Sequence, residues 1–567
     1  MGSPFSSIRI FFLSFVAFAL FLSQTAQAID FAAHGYYRTR GNAYQNLDLQ
    51  SKYPNHRFGL VAFNQMRLRV QPMVKFNDYL SLFAEFDVFD NLLFGTRNTE
   101  QLQLTNPVVG TITMPAGAAS VSMTGGDAGT NKTINFRRAW MDVLTPVGQL
   151  RIGRQPSQWG LGIFQNDGNE LQGDFGDSAD RVMFITGSEL DDDASISGGI
   201  LWDIAFEAQY DPRIENFTEG IAANGKGTQQ YAGFVLYQRP EAEVGLFGGI
   251  RRRSGGNGYV GEATNALGTS VPAGLDGKTF VYFADLYAKY SYNEYDFRFE
   301  GVYLGGKIST GLALDAVPFS SYSGISPTQG GIAGGIIEMP TKQDIQVFMA
   351  AFEASGAYKW GGEWNLKTGF AEGDASPLSQ RITQYGFRPD YQIGLLMFHE
   401  PMGTSPSLYG CPATNPGCGT NTSKLTGGVP ITGNNINNAI YVATGYKHHF
   451  DIKSAIKECN DFAIGGTVLT AWADKNPVEL NFQSILENAP LPILSNSHKW
   501  YGFEVDAKVE AEFFDHLYTS LEGGFLFPGA AYNISVNGQT LGTLVQAIPY
   551  SKAEISYGGR LTLSLLY

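Results

Sequence analysis

Cysteine is scarce, three in 567 residues, which excludes a disulfide-framed scaffold and a multi-cysteine zinc protein. Charge is scarce as well. Only 16% of residues are Asp, Glu, Lys or Arg, below the roughly 25% usual in soluble domains. The balance is acidic, 39 Lys+Arg against 53 Asp+Glu for a net −14, so the basic footprint of a nucleic-acid binder is missing. No apolar run beyond Leu22 reaches the ~18 residues needed for a membrane helix. Gly-x-Ser-x-Gly elbows, His-Glu-x-x-His helices and Walker loops are absent, and the seven His are scattered. The reading is therefore not an enzyme, with no cofactor and no metal site.

What is present starts with a leader. Arg9 precedes an apolar run from Ile10 to Leu22, and Ala26-Gln27-Ala28 offers small residues at a cleavage site. Residues 1–28 read as a secretory signal peptide, leaving 29–567 as one exported domain. Hydrophobic residues make up 43% of the chain and aromatics 13%, alongside 68 Gly, so the domain is folded rather than disordered.

Alternation dominates that domain. From Phe503 to Phe513 every odd position is apolar and every even position charged, which puts one set on each face of a strand. Segments around Met66–Val70, Leu82–Val88 and Phe297–Tyr303 repeat the pattern. Very short turns recur at Phe76–Tyr79, Thr145–Gly148, Arg239–Glu241, Tyr292–Tyr295, Trp360–Glu363 and Phe514–Leu517. Long polar stretches separate them, roughly 91–131, 157–178, 254–277, 308–342 and 372–436. Aromatics flank the short turns, including Phe76, Tyr79, Tyr292, Tyr295, Trp360, Trp364, Phe513 and Phe514.

A β-sandwich would alternate too, but has no reason to sort its connections or ring one end with aromatics. The expected fold is all-β: a transmembrane antiparallel up-and-down β-barrel of about 18 strands, with short periplasmic turns and long extracellular loops. Edge strands cannot be left unpaired in lipid, so the sheet must close. A lumen this wide holds water unless loops fold inward. The expected setting is the outer membrane with its lipid as solvent, and the expected function a porin-like channel for small polar or anionic solutes. A surface adhesin or scaffold with a blocked lumen is the alternative from another class. Neither the solute nor the oligomeric state is written in the sequence.

The last strand carries Leu561, Leu563, Leu565 and Tyr567 on one face. This resembles the signal read by bacterial barrel-assembly machinery, which the resemblance implies as a biogenesis partner. Leu150-Arg151-Ile152-Gly153-Arg154-Gln155-Pro156 followed by Trp159-Gly160, with Asp180-Arg181 on the next strand, resembles the strand-and-loop element of alginate-export-type barrels. That resemblance covers about thirty residues and implies an outer-membrane conduit, with polysaccharide export as an alternative cargo.

Candidate pore-lining residues are Arg67, Arg69, Arg138, Arg151, Arg154, Arg181 and Arg298, with the acids Glu85 and Asp87. Guanidinium groups aimed into a lumen either attract anions or pair with inward acids in a structural network. Arg154 is ambiguous: alternation with Leu150 and Ile152 turns it outward, so either Pro156 marks a bulge that resets the face or Arg154 lies at the outer rim and snorkels. The acidic stretch Asp167, Glu170, Asp174, Asp177 and Asp180 is a solvated loop, an inward constriction or an oxygen-ligand site for Ca²⁺. Cys411 and Cys418 lie in the longest loop and are expected to form a disulfide in an oxidising compartment; Cys459, near a short turn at the other end, is expected to be unpaired.

Overall fold

A computed structural model describes residues 29–49, 60–93, 101–106, 110–115, 134–204, 228–253, 262–264, 270–272, 278–309, 342–374, 381–403, 431–477, 498–533 and 552–567. Residues 1–28, read from sequence as a signal peptide, and the pair Cys411 and Cys418 lie outside them.

Eighteen strands form the wall: β1 Asp30–Gln45, β2 Leu60–Asn77, β3 Leu80–Leu93, β4 Ile134–Thr145, β5 Gly148–Pro156, β6 Ser178–Asp191, β7 Ala194–Ile204, β8 Thr228–Gln238, β9 Ala242–Arg253, β10 Lys278–Tyr292, β11 Tyr295–Ser309, β12 Lys342–Ala357, β13 Gly362–Ala371, β14 Ala439–His449, β15 Cys459–Trp472, β16 Trp500–Phe513, β17 Leu517–Pro528 and β18 Ser556–Leu566. Each pairs antiparallel with its sequence neighbour, and β18 pairs with β1 from Leu566↔Tyr36 to Tyr557↔Gln45, which closes the cylinder. Closure leaves no wall strand with an unpaired edge, the condition for a sheet in hydrocarbon. Two small antiparallel pairs, 101–106 with 110–115 and 262–264 with 270–272, form sheets separate from the wall, and Arg381–Ile382 adds a short parallel strand beside β12. No helix among the described residues is long and apolar enough to cross a membrane; the crossing is made by strands.

Connections are sorted by length, as expected. Eight turns at one end are no longer than residues 450–458, and nine loops at the other are no shorter than residues 46–59. Phe76, Tyr79, Tyr292, Trp360 and Phe514 are exposed at the short-turn end, with Tyr358 stacked on Trp360 at 5.2 Å. Their amphipathic rings suit the membrane interface. Leu286, Ile464, Val468, Leu521, Leu561, Leu563 and Leu565 are exposed along the outside, forming a belt that lipid covers.

The interior differs from a uniformly charged, wet surface. On β9 to β12 many inward positions are apolar, with Phe247, Phe283, Val302, Leu304, Val347 and Met349 all buried between acids such as Asp285 and Glu300. They pack against two loops that turn into the lumen, through Ile163 and Phe164 of one and Phe387, Leu396 and Met397 of the other. Alternation hides such positions because lipid-facing and loop-facing residues are both apolar.

Cys459 opens β15, buried and unpaired, with its Sγ 3.2 Å from the Asp461 carbonyl. A buried thiol does not meet a bulky polar alkylating reagent. Maleimide labelling is expected to be absent in the folded barrel. After denaturation one thiol should react without reductant and three with it, as the proposed Cys411–Cys418 disulfide requires; three without reductant would refute the disulfide.

Candidate functional site

Alternation alone would give β4 one inward arginine near its middle. The register shows an extra residue instead: Glu85 pairs with Arg138 and Phe86 with Phe136, so Arg137 is bulged and both arginines turn inward. They share one acceptor, Arg137 Nη1 to Glu85 Oε1 at 2.8 Å and Arg138 Nη1 to Glu85 Oε2 at 3.0 Å. A second irregularity, between Met66 and Leu68 of β2, leaves Phe89–Asn91 of β3 opposite Arg67. Phe89 adopts φ 56° there, and Asp90 reaches Arg67 Nε at 3.0 Å. Arg69 forks onto Asp87 at 2.9 and 3.0 Å.

Of the other expected lumen residues, Arg151 forks onto Asp142 at 2.7 and 2.8 Å, and Arg181 onto Asp203 at 2.6 and 2.9 Å. Arg298 meets Glu353 at 2.8 Å while staying 43% exposed. Arg154 is the correction. The register of β5 with both neighbours runs unbroken to Pro156, so no bulge resets its face. It points outward opposite Ala139, forked onto Asp180 at 2.8 Å twice, an arrangement that shields both charges from hydrocarbon. Gln155 beside it is inward and fully buried, donating to the Arg181 carbonyl at 3.0 Å.

The arginines of β1 to β4 converge on the inward loop 157–177. Arg38 and Arg40 of β1, which the sequence reading passed over, reach Asp174 at 2.6 and 2.5 Å. Arg38 also donates to the Leu171 carbonyl at 2.7 Å, Arg67 to Gly173 at 2.8 Å, Arg69 to Gly168 at 3.0 Å and Arg137 to Phe175 at 2.8 Å. Arg138 donates to Asn169 Oδ1 at 2.7 Å and to the Asp167 and Asp177 carbonyls. A loop whose carbonyls point at a guanidinium-lined wall satisfies buried charge without leaving lone pairs orphaned. Of the two readings of these arginines, the paired network is the one the geometry shows. The acidic loop is an inward constriction.

The second inward segment, 381–403, docks through its amides. Leu395 and Leu396 N–H donate to Glu504 Oε1 at 2.7 Å each and Met397 N–H to Oε2 at 2.6 Å. Glu300 serves the first loop likewise, accepting from Ile163 N–H at 3.4 Å. Gly160, at φ +54°, lies so close that a Cβ would sit 2.7 Å from Glu300 Oε2. The loops also hold each other: Asp390 accepts from the N–H groups of Asp174, Phe175 and Gly176 at 2.8 to 3.2 Å, and Arg388 Nε reaches Asp177 at 2.6 Å.

The loop electrostatics follow. Burial works against ionising Asp174, yet Arg40, Arg38 and Arg67 hold its carboxyl well below the usual carboxylate range. Burial pushes Asp390 up, opposed by its three backbone donors. Burial and then Arg560 and Arg40 push His399 well below its usual value, so its neutral ring accepts from Arg560. Glu504, Asp390, Arg38 and Arg40 are the residues that sequence reasoning missed. Only the last two carried a signal: two arginines two apart on the first strand.

A closed wall, an apolar belt, an aromatic rim and inward loops define a transmembrane antiparallel β-barrel. No family model matches the chain, and no curated protein matches it. Solved structures do: a BenF-like porin from Pseudomonas fluorescens Pf-5 (TM-score 0.42, 7% identity, 95% of this chain and 98% of that one), Pseudomonas aeruginosa OccK8 (0.39, 10%, 95% and 98%) and an anion-selective porin from Comamonas acidovorans (0.35, 10%, 95% and 100%).

Proposed function

We infer that this barrel is a diffusion channel for small polar or charged solutes, which pass through water left between the inward loops and the wall. One observation carries it: several inward-facing charges stay wet. Arg298, Lys367 and Lys508 face the interior, each with roughly a third or more of its side chain exposed. A scaffold with a filled lumen would have no use for hydrated charges there. Arg298 and Lys367 share the single carboxylate of Glu353, leaving one cation in excess at that level of the lumen. Because the arginines of β1 to β4 are neutralised by acids and loop carbonyls, charge preference falls to groups such as these.

In planar bilayers the purified protein is expected to give discrete conductance steps, and Arg298→Ala to shift the reversal potential in a salt gradient toward cations. Complete silence would favour the adhesin or scaffold reading. The β5 resemblance to alginate-export-type barrels makes an exported acidic polysaccharide the alternative cargo, which a secretion defect in a deletion strain would support. Leu561, Leu563, Leu565 and Tyr567 face outward on β18; we assign to them recognition by the barrel-assembly machinery.

A further inference from the structure

Each inward loop is docked on a wall carboxylate that has a second carboxyl beside it. Glu300 on β11 takes the Ile163 amide, and Asp285 on β10 is its diagonal neighbour on the inner face, Asp285 lying opposite Val302 and Glu300 opposite Tyr287. Both are fully buried, yet no donor reaches either oxygen of Asp285 or Oε1 of Glu300 among the described residues. Glu504 on β16 takes the amides of 395–397, and Asp506 two residues on is so close that Leu395 N–H reaches both, at 2.7 and 3.2 Å. Asp506 Oδ1 has no donor either.

Two neighbouring carboxyl groups out of water cannot both be ionised without strong repulsion. Something must sit between them. A metal ion needs six to eight oxygens if it is Ca²⁺, and no cluster of three or more His, Cys, Asp or Glu among the described residues is placed to hold one. Around Asp285 the neighbours are instead apolar: Phe247 is its partner in register, and Phe283 and Phe164 ring contacts close the space. A shared proton fits.

We propose that the pairs Asp285–Glu300 and Glu504–Asp506 form a proton-operated latch that holds both inward loops docked and releases them as the pH rises. In acid each pair keeps one proton, the carboxylate that faces the loop accepts its amides, and the lumen is narrowed. As the pH rises that proton passes to solvent. Two adjacent buried negative charges then repel, and relief comes when the loop withdraws and water enters. Because Asp390 and Arg388–Asp177 join the loops, they move as one body.

Other charged groups frame the pairs without replacing the proton. Tyr287 lies opposite Glu300 in register, and Glu243, Arg298 and Glu353 of β9 to β12 surround Tyr287. Near the second are Lys508, Glu522 and Arg560 on the wall, Tyr532 beyond β17, and His399 and Glu400 at the end of the inward segment.

The inference rests on the channel reading, and its test separates the two. Single-channel conductance of the full chain is measured from mildly acid to mildly alkaline pH, with a rise of about two-fold or more expected as the loops leave. Asp285→Asn with Asp506→Asn supplies a donor that cannot be lost, so this variant should hold the acid-side conductance throughout. If the variant fails to fold, hydrogen exchange of wild-type amides 161–164 and 395–397 gives the same answer, faster exchange at alkaline pH beyond the intrinsic rate being expected. Steps that do not change with pH, a variant that opens like the wild type, or loop amides that exchange only at the intrinsic pH dependence would each overturn the latch alone. Silence at every pH in the wild type would overturn the channel reading itself.

Discussion

Replacing Arg138 with alanine is expected to undock the inward loop 157–177 and raise single-channel conductance, while the barrel still shows heat-modifiable migration in detergent gels. The side chain is buried and holds five acceptors: Glu85, Ser178, Asn169 and the carbonyls of Asp167 and Asp177. Alanine reaches none of them. Breaking a buried charge pair by removing one partner costs about 3–5 kcal/mol, and here much of that cost falls on the docked loop rather than on the wall. The wall keeps its backbone ladder, since β4 remains paired with β3 and β5. Proteolytic nicking within 157–177 should accelerate in parallel. A variant with wild-type conductance and an intact loop would show that the arginine cluster does not hold the constriction.

Asp174→Asn is the second large effect. Its carboxylate is the shared counter-ion of Arg38, Arg40 and Arg67. A neutral amide removes the shared counter-charge from three guanidinium groups, of which Arg67 keeps Asp90, and a loss of about 3–5 kcal/mol in loop docking follows. Since its docked form titrates well below the usual range, the stabilisation it gives is complete above the ordinary carboxylate value and is lost only as pH falls through its own depressed one. Wild-type docking at this contact should therefore survive mild acid and fail in strong acid. Asp390 works the other way: burial has raised it, so protonation relieves a penalty and mild acid does not loosen the joint. Conductance of Asp174→Asn at neutral pH should match that of the wild type in strong acid; a variant that stays narrow would place the hold elsewhere.

The wall was legible because its signals are local. Period-two alternation and turn residues lie within a few positions of each other, so Phe503–Phe513 and the Tyr292–Tyr295 turn can be read without knowing their neighbours. What lies inside the wall was not. Arg38 meets Leu171, 133 residues away, and Leu395 meets Glu504, 109 away. Nothing in either neighbourhood announces the partner. The inward turn of the acidic stretch was one of three readings left open, and the docking of 381–403 had no signal at all. Val302 shows the limit on β11: it is inward and buried, but as apolar as the lipid-facing Tyr303 beside it. Arg154 was resolved only by register, which a sequence motif ending in Pro156 does not fix.

The bulge at Arg137 also bears on how this gene tolerates change. Below it, the odd-numbered residues of β4 face lipid; above it, the even-numbered ones do, as the pairings Ala84↔Ala139 and Phe86↔Phe136 show. Replacing either arginine leaves that parity alone. Losing the single Arg137 codon would keep it too: the bulge closes, and Ala139 out, Arg138 in, Phe136 out and Asn135 in become a regular alternation. Removal of both arginine codons would instead swing Phe136 toward water and Asn135 toward hydrocarbon, and should be purged more strongly than loss of one codon or any substitution there.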